Sequence, residues 1–154
     1  MHKESPNHVE AMSAAATDLL ESMSREMRMK VSYPYMDGER LFWYYPPLNR
    51  HGVPLRDMNL DQRSYAMNLI ASGLDKEAYD KVKKIIELET VLASLEASKG
   101  LNSFVRDPEL YYLTIFGDPT GIEPWGWRAE GHHISINFSL WKGEVIAVTP
   151  LFFG

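Results

Sequence analysis

WGWRAEGHHISINFSLW, residues 125–141, is rich in aromatic and β-branched residues and holds no proline, which is the composition of a strand. On one regular strand, successive side chains point to opposite faces. The even positions Arg128, Glu130, His132, Ile134, Ile136, Phe138 and Leu140 then make an apolar face with a charged end. The odd positions Trp127, Gly131, His133, Ser135, Asn137 and Ser139 make the polar face. This spacing places His132 and His133 on opposite faces, where they cannot jointly chelate one ion. Gly131 is the point at which a bulge would shift the register.

The neighbouring segments read the same way. ELYYLTIFG (109–117) and EVIAVTPLFF (144–153) are strand-like, and GDPTGIEP (117–124) and KG (142–143) carry turn chemistry. The expectation is an antiparallel β-meander over 108–154, with Thr114, Ile136 and Ala147 on three adjacent strands. A tight hairpin at Lys142–Gly143 would pair residues near Ile136 with residues near Ala147.

Upstream of the strands the period changes to that of helices. Val9, Met12, Ala16, Leu19, Leu20, Met23 and Met27 recur at helical spacing within a segment ending near Lys30, with Asn7 and Glu10 as a capping box and a break near Ser24. Residues 31–58 form a Pro/aromatic-rich connection around Phe42–Tyr45. Asn59 and Gln62 cap a helix ended by Gly73; Asp75 opens a longer one closed by Gly100, with Val82, Ile85, Leu88, Val91, Leu92 and Leu95 as its buried stripe. The two helices of 59–100 are expected to pack as an antiparallel pair. Helices followed by strands give an α+β class and a single α+β unit over 1–154.

Composition narrows the function. A chain of 154 residues with 45% hydrophobic and 24% charged residues is of globular type and about one domain. It has no cysteine, which excludes disulfides, thiol catalysis and thiolate zinc sites. The net charge is −5 with no clustered Lys/Arg face, so nucleic acid is not an expected partner. The N-terminus lacks the apolar core of a secretion signal and no apolar run approaches a membrane span, so the expected location is cytoplasmic.

The candidate chemistry lies in 125–141. His133, Ser135 and Asn137 form a polar row, and Trp125, Trp127 and Trp141 share its parity; three tryptophans on a solvated face would be unusual, so the row is expected to line a cleft. Arg128, Glu130 and His132 form a ladder, read either as an ion pair with a satisfied histidine or as part of a site in which Arg128 is an anion clamp. The aromatic run Phe42–Tyr45 reads first as core, with Arg40, Arg50 and His51 beside it as the alternative of another anion pocket. Phosphate-binding glycine loops, HExxH and GxSxG are absent. A catalytic metal needs three or four ligands, and His132 or His133 with Asn137 is an incomplete set; a divalent metal is nonetheless the candidate cofactor. Two readings follow: a small-molecule enzyme with His132, His133, Asn137 and Arg128 as its catalytic groups, and a non-catalytic module binding a small ligand or partner. Trp125, Trp127, Glu130 and Ser135 complete the candidate site in either.

GERLFWYYPPLNRHGVPLRDMNLDQR (38–63), RDPELYYLTIFG (106–117), PWGWRAEGHHISINF (124–138) and VTPLFFG (148–154) together resemble a family of uncharacterised proteins, domain-of-unknown-function family 3500. The resemblance runs from about Leu19 to Gly154 and is to the family's N-terminal half. It implies that the chain stops short of a larger domain, whose further strands, including a His-x-His pattern, would complete the site. It singles out Trp127, Arg128, Gly131, His132, His133 and Asn137, and it names no reaction. A strand ending at Phe153 would then offer an open edge for association.

Overall fold

The computed structural model describes residues 8–35, 52–98, 111–131, 134–148 and 151–153, the side chains of 89–98, 146–147 and 151–153 excepted. Four helices and seven strands follow in the order α1 (His8–Ser22), α2 (Arg25–Val31), β1 (Ser32–Tyr33), β2 (Val53–Pro54), α3 (Leu60–Gly73), α4 (Lys76–Ser98), β3 (Tyr112–Phe116), β4 (Trp125–Gly131), β5 (Ile134–Trp141), β6 (Glu144–Ala147) and β7 (Leu151–Phe153). The class is α+β. No helix among the described residues is long and apolar enough to cross a membrane.

The helices start where their caps dictate. Ser24 breaks the N-terminal segment, its Oγ accepting from the Met27 amide at 3.2 Å to open α2. Asn59 and Gln62 form the expected capping box, with reciprocal bonds of 2.8 and 2.9 Å. The other expected box involves Asn7, which lies outside the described residues. Val9, Met12, Ala16 and Leu19 are the buried stripe of α1, which packs on α3. Gln62 fastens the two, its Nε2 donating to the Ser22 carbonyl at 2.8 Å.

Among the described residues α3 packs chiefly on α1, and its contact with α4, the expected partner, is slight. The charges of α4 (Lys76, Glu77, Asp80, Lys81, Lys83, Lys84 and Glu87) leave it a narrow apolar edge. Val82 is buried, Ile85 is half-buried and Leu88 is 56% exposed, so the expected stripe does not reach Leu88. Val91, Leu92 and Leu95 lie among the side chains outside the description.

The sheet has the order β1-β3-β4-β5-β6, with β2 pairing to β3 and β7 to β5, and every pair is antiparallel except β1–β3. Residues 125–141 are therefore two strands, not one. Gly131 pairs with Ile134 and Trp125 with Leu140, leaving only His132 and His133, outside the described residues, between β4 and β5. A Cβ on Gly131 would stand 2.3 Å from the Tyr111 ring, so the glycine serves a close approach at the end of β4. Thr114 and Ile136 are consequently not on adjacent strands; β4 lies between theirs.

The expected hairpin at Lys142–Gly143 is present. Both residues have positive φ, 52° and 73°, the backbone of a two-residue turn whose twist suits its strands. Trp141 faces Glu144 and, after a register shift, Ser139 faces Ala147. Ile136 instead faces Leu151 of β7.

Across β3, β4 and β5 one face of the sheet is apolar. Leu113, Ala129 and Ile136 form one row across β3, β4 and β5; Ile115, Trp127 and Phe138 form the next, with Trp125 and Leu140 beyond. All are buried in one core with the α1 and α3 stripes. Trp127 stacks on Phe138, ring centroids 5.0 Å apart at 13°, and its Nε1 donates to the Met12 sulfur at 3.2 Å.

Candidate functional site

The opposite face of the same strands carries the polar residues. In an antiparallel ladder, directly opposed residues share a face. Tyr112, Glu130 and Ser135 make one row, Thr114, Arg128 and Asn137 the second, and Phe116, Gly126 and Ser139 the third. This face is also buried. Arg128, Glu130 and Thr114 are 0% exposed, and Ser135, Asn137 and Ser139 are all below 8%. It is therefore not the solvated side of a half-wet sheet, the usual reading of such alternation.

Arg128 and Glu130, two residues apart on β4, pair across 3.3 Å between Nε and Oε1. The guanidinium also lies 5.4 Å from the centroid of the Phe116 ring, a cation–π distance. On β5 the amide of Asn137 donates to Ser135 Oγ at 3.4 Å. The Thr114 hydroxyl, in the same row as Arg128, has no hydrogen-bond partner among the described residues. Buried hydroxyls are satisfied as a rule, and one left alone costs ~1–3 kcal/mol.

The hairpin rearranges the expected site. Arg128 and Glu130 share a face with Ser135 and Asn137, whereas a single continuous strand would have set them on opposite sides. Trp125 and Trp127 move the other way: they lie with Ile136 and Phe138 under the helices, and α1 supplies the cover that tryptophans require. Trp141 stays 40% exposed at the end of β5. His132 and His133, the two positions between β4 and β5 in the chain, lie outside the described residues. The second anion pocket, at Arg40, Arg50 and His51, also lies outside the described residues.

Thr114, Tyr112 and Ser139 belong to the polar face and were not candidates from the sequence. Their signal is faint: Tyr112, Thr114 and Phe116 alternate with Leu113 and Ile115, but only the register to β4 shows that the threonine stands beside an arginine. Among the described residues no group of three or more His, Asp or Glu is placed to hold a metal ion. The oxygen and nitrogen side chains of this face include the Glu130 carboxylate, engaged by Arg128, the Asn137 amide and the hydroxyls of Thr114, Ser135 and Ser139.

Comparison with curated proteins and with solved structures finds no match. The family model described as "Protein of unknown function (DUF3500)" matches residues 5–154, beginning upstream of Leu19 and taking in essentially the whole chain. The helix-backed sheet with its buried Arg128–Glu130 face thus belongs to a member of the DUF3500 family of proteins of unknown function.

Proposed function

We propose that the polar face of β3, β4 and β5 is a small-molecule site and that the protein acts on an anionic, oxygen-bearing compound held there. One observation carries the reading: across β3, β4 and β5 this face is buried yet carries Thr114, Arg128, Glu130, Ser135 and Asn137, and the Thr114 hydroxyl beside Arg128 has no partner among the described residues. Replacing a buried ion pair by apolar residues of similar volume is often neutral or stabilising, so stability alone does not account for Arg128 and Glu130.

In this reading Arg128 recognises a carboxylate or phosphate, for which its planar fork is suited. Thr114 and Asn137, its neighbours in the row, supply hydrogen bonds from either side. Glu130 holds the guanidinium in place, and Ser135 orients the Asn137 amide. His132 and His133 follow Glu130 and Gly131 in the chain and are the groups for proton transfer or for ligating a divalent metal.

A non-catalytic binding module is the second reading. Its support is that the two buried charges already pair with each other. Titration of acetate, oxalate and inorganic phosphate into the protein, with metal analysis of the same preparation, tests both. Saturable anion binding that Asn137→Ala weakens supports the site, and its absence for all three anions counts against it. Metal that His133→Ala removes favours the enzyme, whereas anion binding without metal and unchanged by His132→Ala and His133→Ala favours the module.

A further inference from the structure

We propose a second binding site, apart from the Arg128 cluster, for a small amphipathic organic cation. A cavity of about 480 Å³ opens where the first turns of α1 meet the β3–β4 loop and the β5–β6 hairpin. Its volume is in the range of small-ligand pockets, ~300–1,000 Å³. Ile122 and the edge of Val9 supply apolar lining, Trp141 an aromatic wall, and Glu10, Glu123 and Lys142 the charges.

The electrostatics choose the ligand. Glu10 and Glu123 come from separate segments, are exposed, and make no ion pair among the described residues. Among the described lining residues, one cation, Lys142, stands against these two carboxylates, a balance of −1 (two negative, one positive). Lys142 is moreover spread over the Trp141 ring, its Nζ 4.4 Å from the centroid. The ring thus already serves as a cation platform. A ligand ammonium attached to an apolar body would compete with Lys142 for that ring, neutralise the carboxylates, and lay its body against Ile122 and the edge of Val9.

The wall is held in shape before any ligand arrives. Asp118 accepts from the Thr120 amide at 2.8 Å and from its hydroxyl at 2.7 Å, and the Gly121 amide donates to the Asp118 carbonyl at 3.1 Å. These bonds fix the loop that carries Glu123 and the 88% exposed Ile122. A preorganised wall lowers the cost of binding.

The probe is phenethylammonium, followed by the indole N–H signal of Trp141, which Trp141→Phe identifies. The expected result is a saturable shift that is absent with phenethyl alcohol and hydrocinnamate and weakens with added salt. Glu10→Gln with Glu123→Gln should weaken binding by up to about thirtyfold, the sum of two exposed ion pairs, with an unchanged unfolding midpoint. Lys142→Asn, which keeps a residue tolerant of the turn's positive φ, should tighten it by freeing the ring. The proposal is overturned if the alcohol binds as well as the amine, if the two glutamate substitutions, singly and together, leave affinity unchanged, or if the Trp141 signal does not move.

Discussion

Arg128 stands directly opposite Asn137 across β4 and β5, and on its other side opposite Thr114 of β3. Three hydrogen-bonding side chains of different chemistry therefore lie in one row across neighbouring strands, on a face that excludes water. An antiparallel sheet puts opposed Cβ atoms ~4.5–5.5 Å apart, close enough for one small ligand to meet all three.

The Arg128–Glu130 pair should behave as a unit. Removing one partner leaves a buried, uncompensated charge, so Arg128→Met and Glu130→Leu should each lower stability by ~3–5 kcal/mol. The double substitution should recover most of that loss, because neither charge is then left alone. A double-mutant cycle in urea unfolding checks this; losses that simply add would mean that the 3.3 Å contact carries no coupling.

Thr114→Val should raise the stability of the ligand-free protein by ~1 kcal/mol, since it removes a buried hydroxyl without changing the side chain's shape. The same substitution should weaken anion binding. A loss of stability in urea unfolding would instead mean that the hydroxyl has a structural partner.

Gly73→Ala should destabilise even though it lies in a helix. Alanine gains ~1 kcal/mol over glycine in a helix interior. Here, however, its Cβ would stand 2.8 Å from both the Trp127 and Phe138 rings, stacked beneath the end of α3. Overpacking of that kind costs ~1–3 kcal/mol, so the expected outcome is a lowered melting temperature, and a raised one would show that the rings give way freely.

Asp118 gives the loop a pH dependence. The hydroxyl and amide of Thr120 both bond its carboxylate and hold its pKa below the ordinary value of 3.8. A depressed carboxyl pKa contributes stability that is fully present above that ordinary value and lost as pH falls through the folded one. The Thr120 amide resonance should titrate with a midpoint below 3.8, and Asp118→Ala should abolish the step. A midpoint at or above 3.8 would contradict the bonding.

What the sequence revealed follows the range of the interactions. The Asn59–Gln62 capping box, the break at Ser24 and the Lys142–Gly143 turn are settled within a few residues, and each is legible. The β4–β5 reversal is not. Two histidines are not turn chemistry, and Gly131 reads equally as a bulge. That single misreading inverts the faces, because side chains in a strand alternate and any change of register moves a whole set across the sheet. It separated Arg128 from Asn137 and grouped Trp127 with the polar row, where the fold does the reverse. The burial of the polar face was not legible either, since alternation in an antiparallel strand is the mark of one wet side. The stripe of α4 failed at Leu88 because helical spacing says which face is apolar and not how far along it a neighbour extends.

The most direct test of the Arg128-centred site is thermal unfolding of the wild type and of the Arg128→Met/Glu130→Leu double variant, each titrated with oxalate and with inorganic phosphate. The double variant keeps the volume of the pair while removing its charge, so its fold is retained and only recognition is lost. The prediction is that at least one anion raises the wild-type melting temperature in a concentration-dependent way and leaves the double variant unmoved. An equal rise in both proteins would contradict the site.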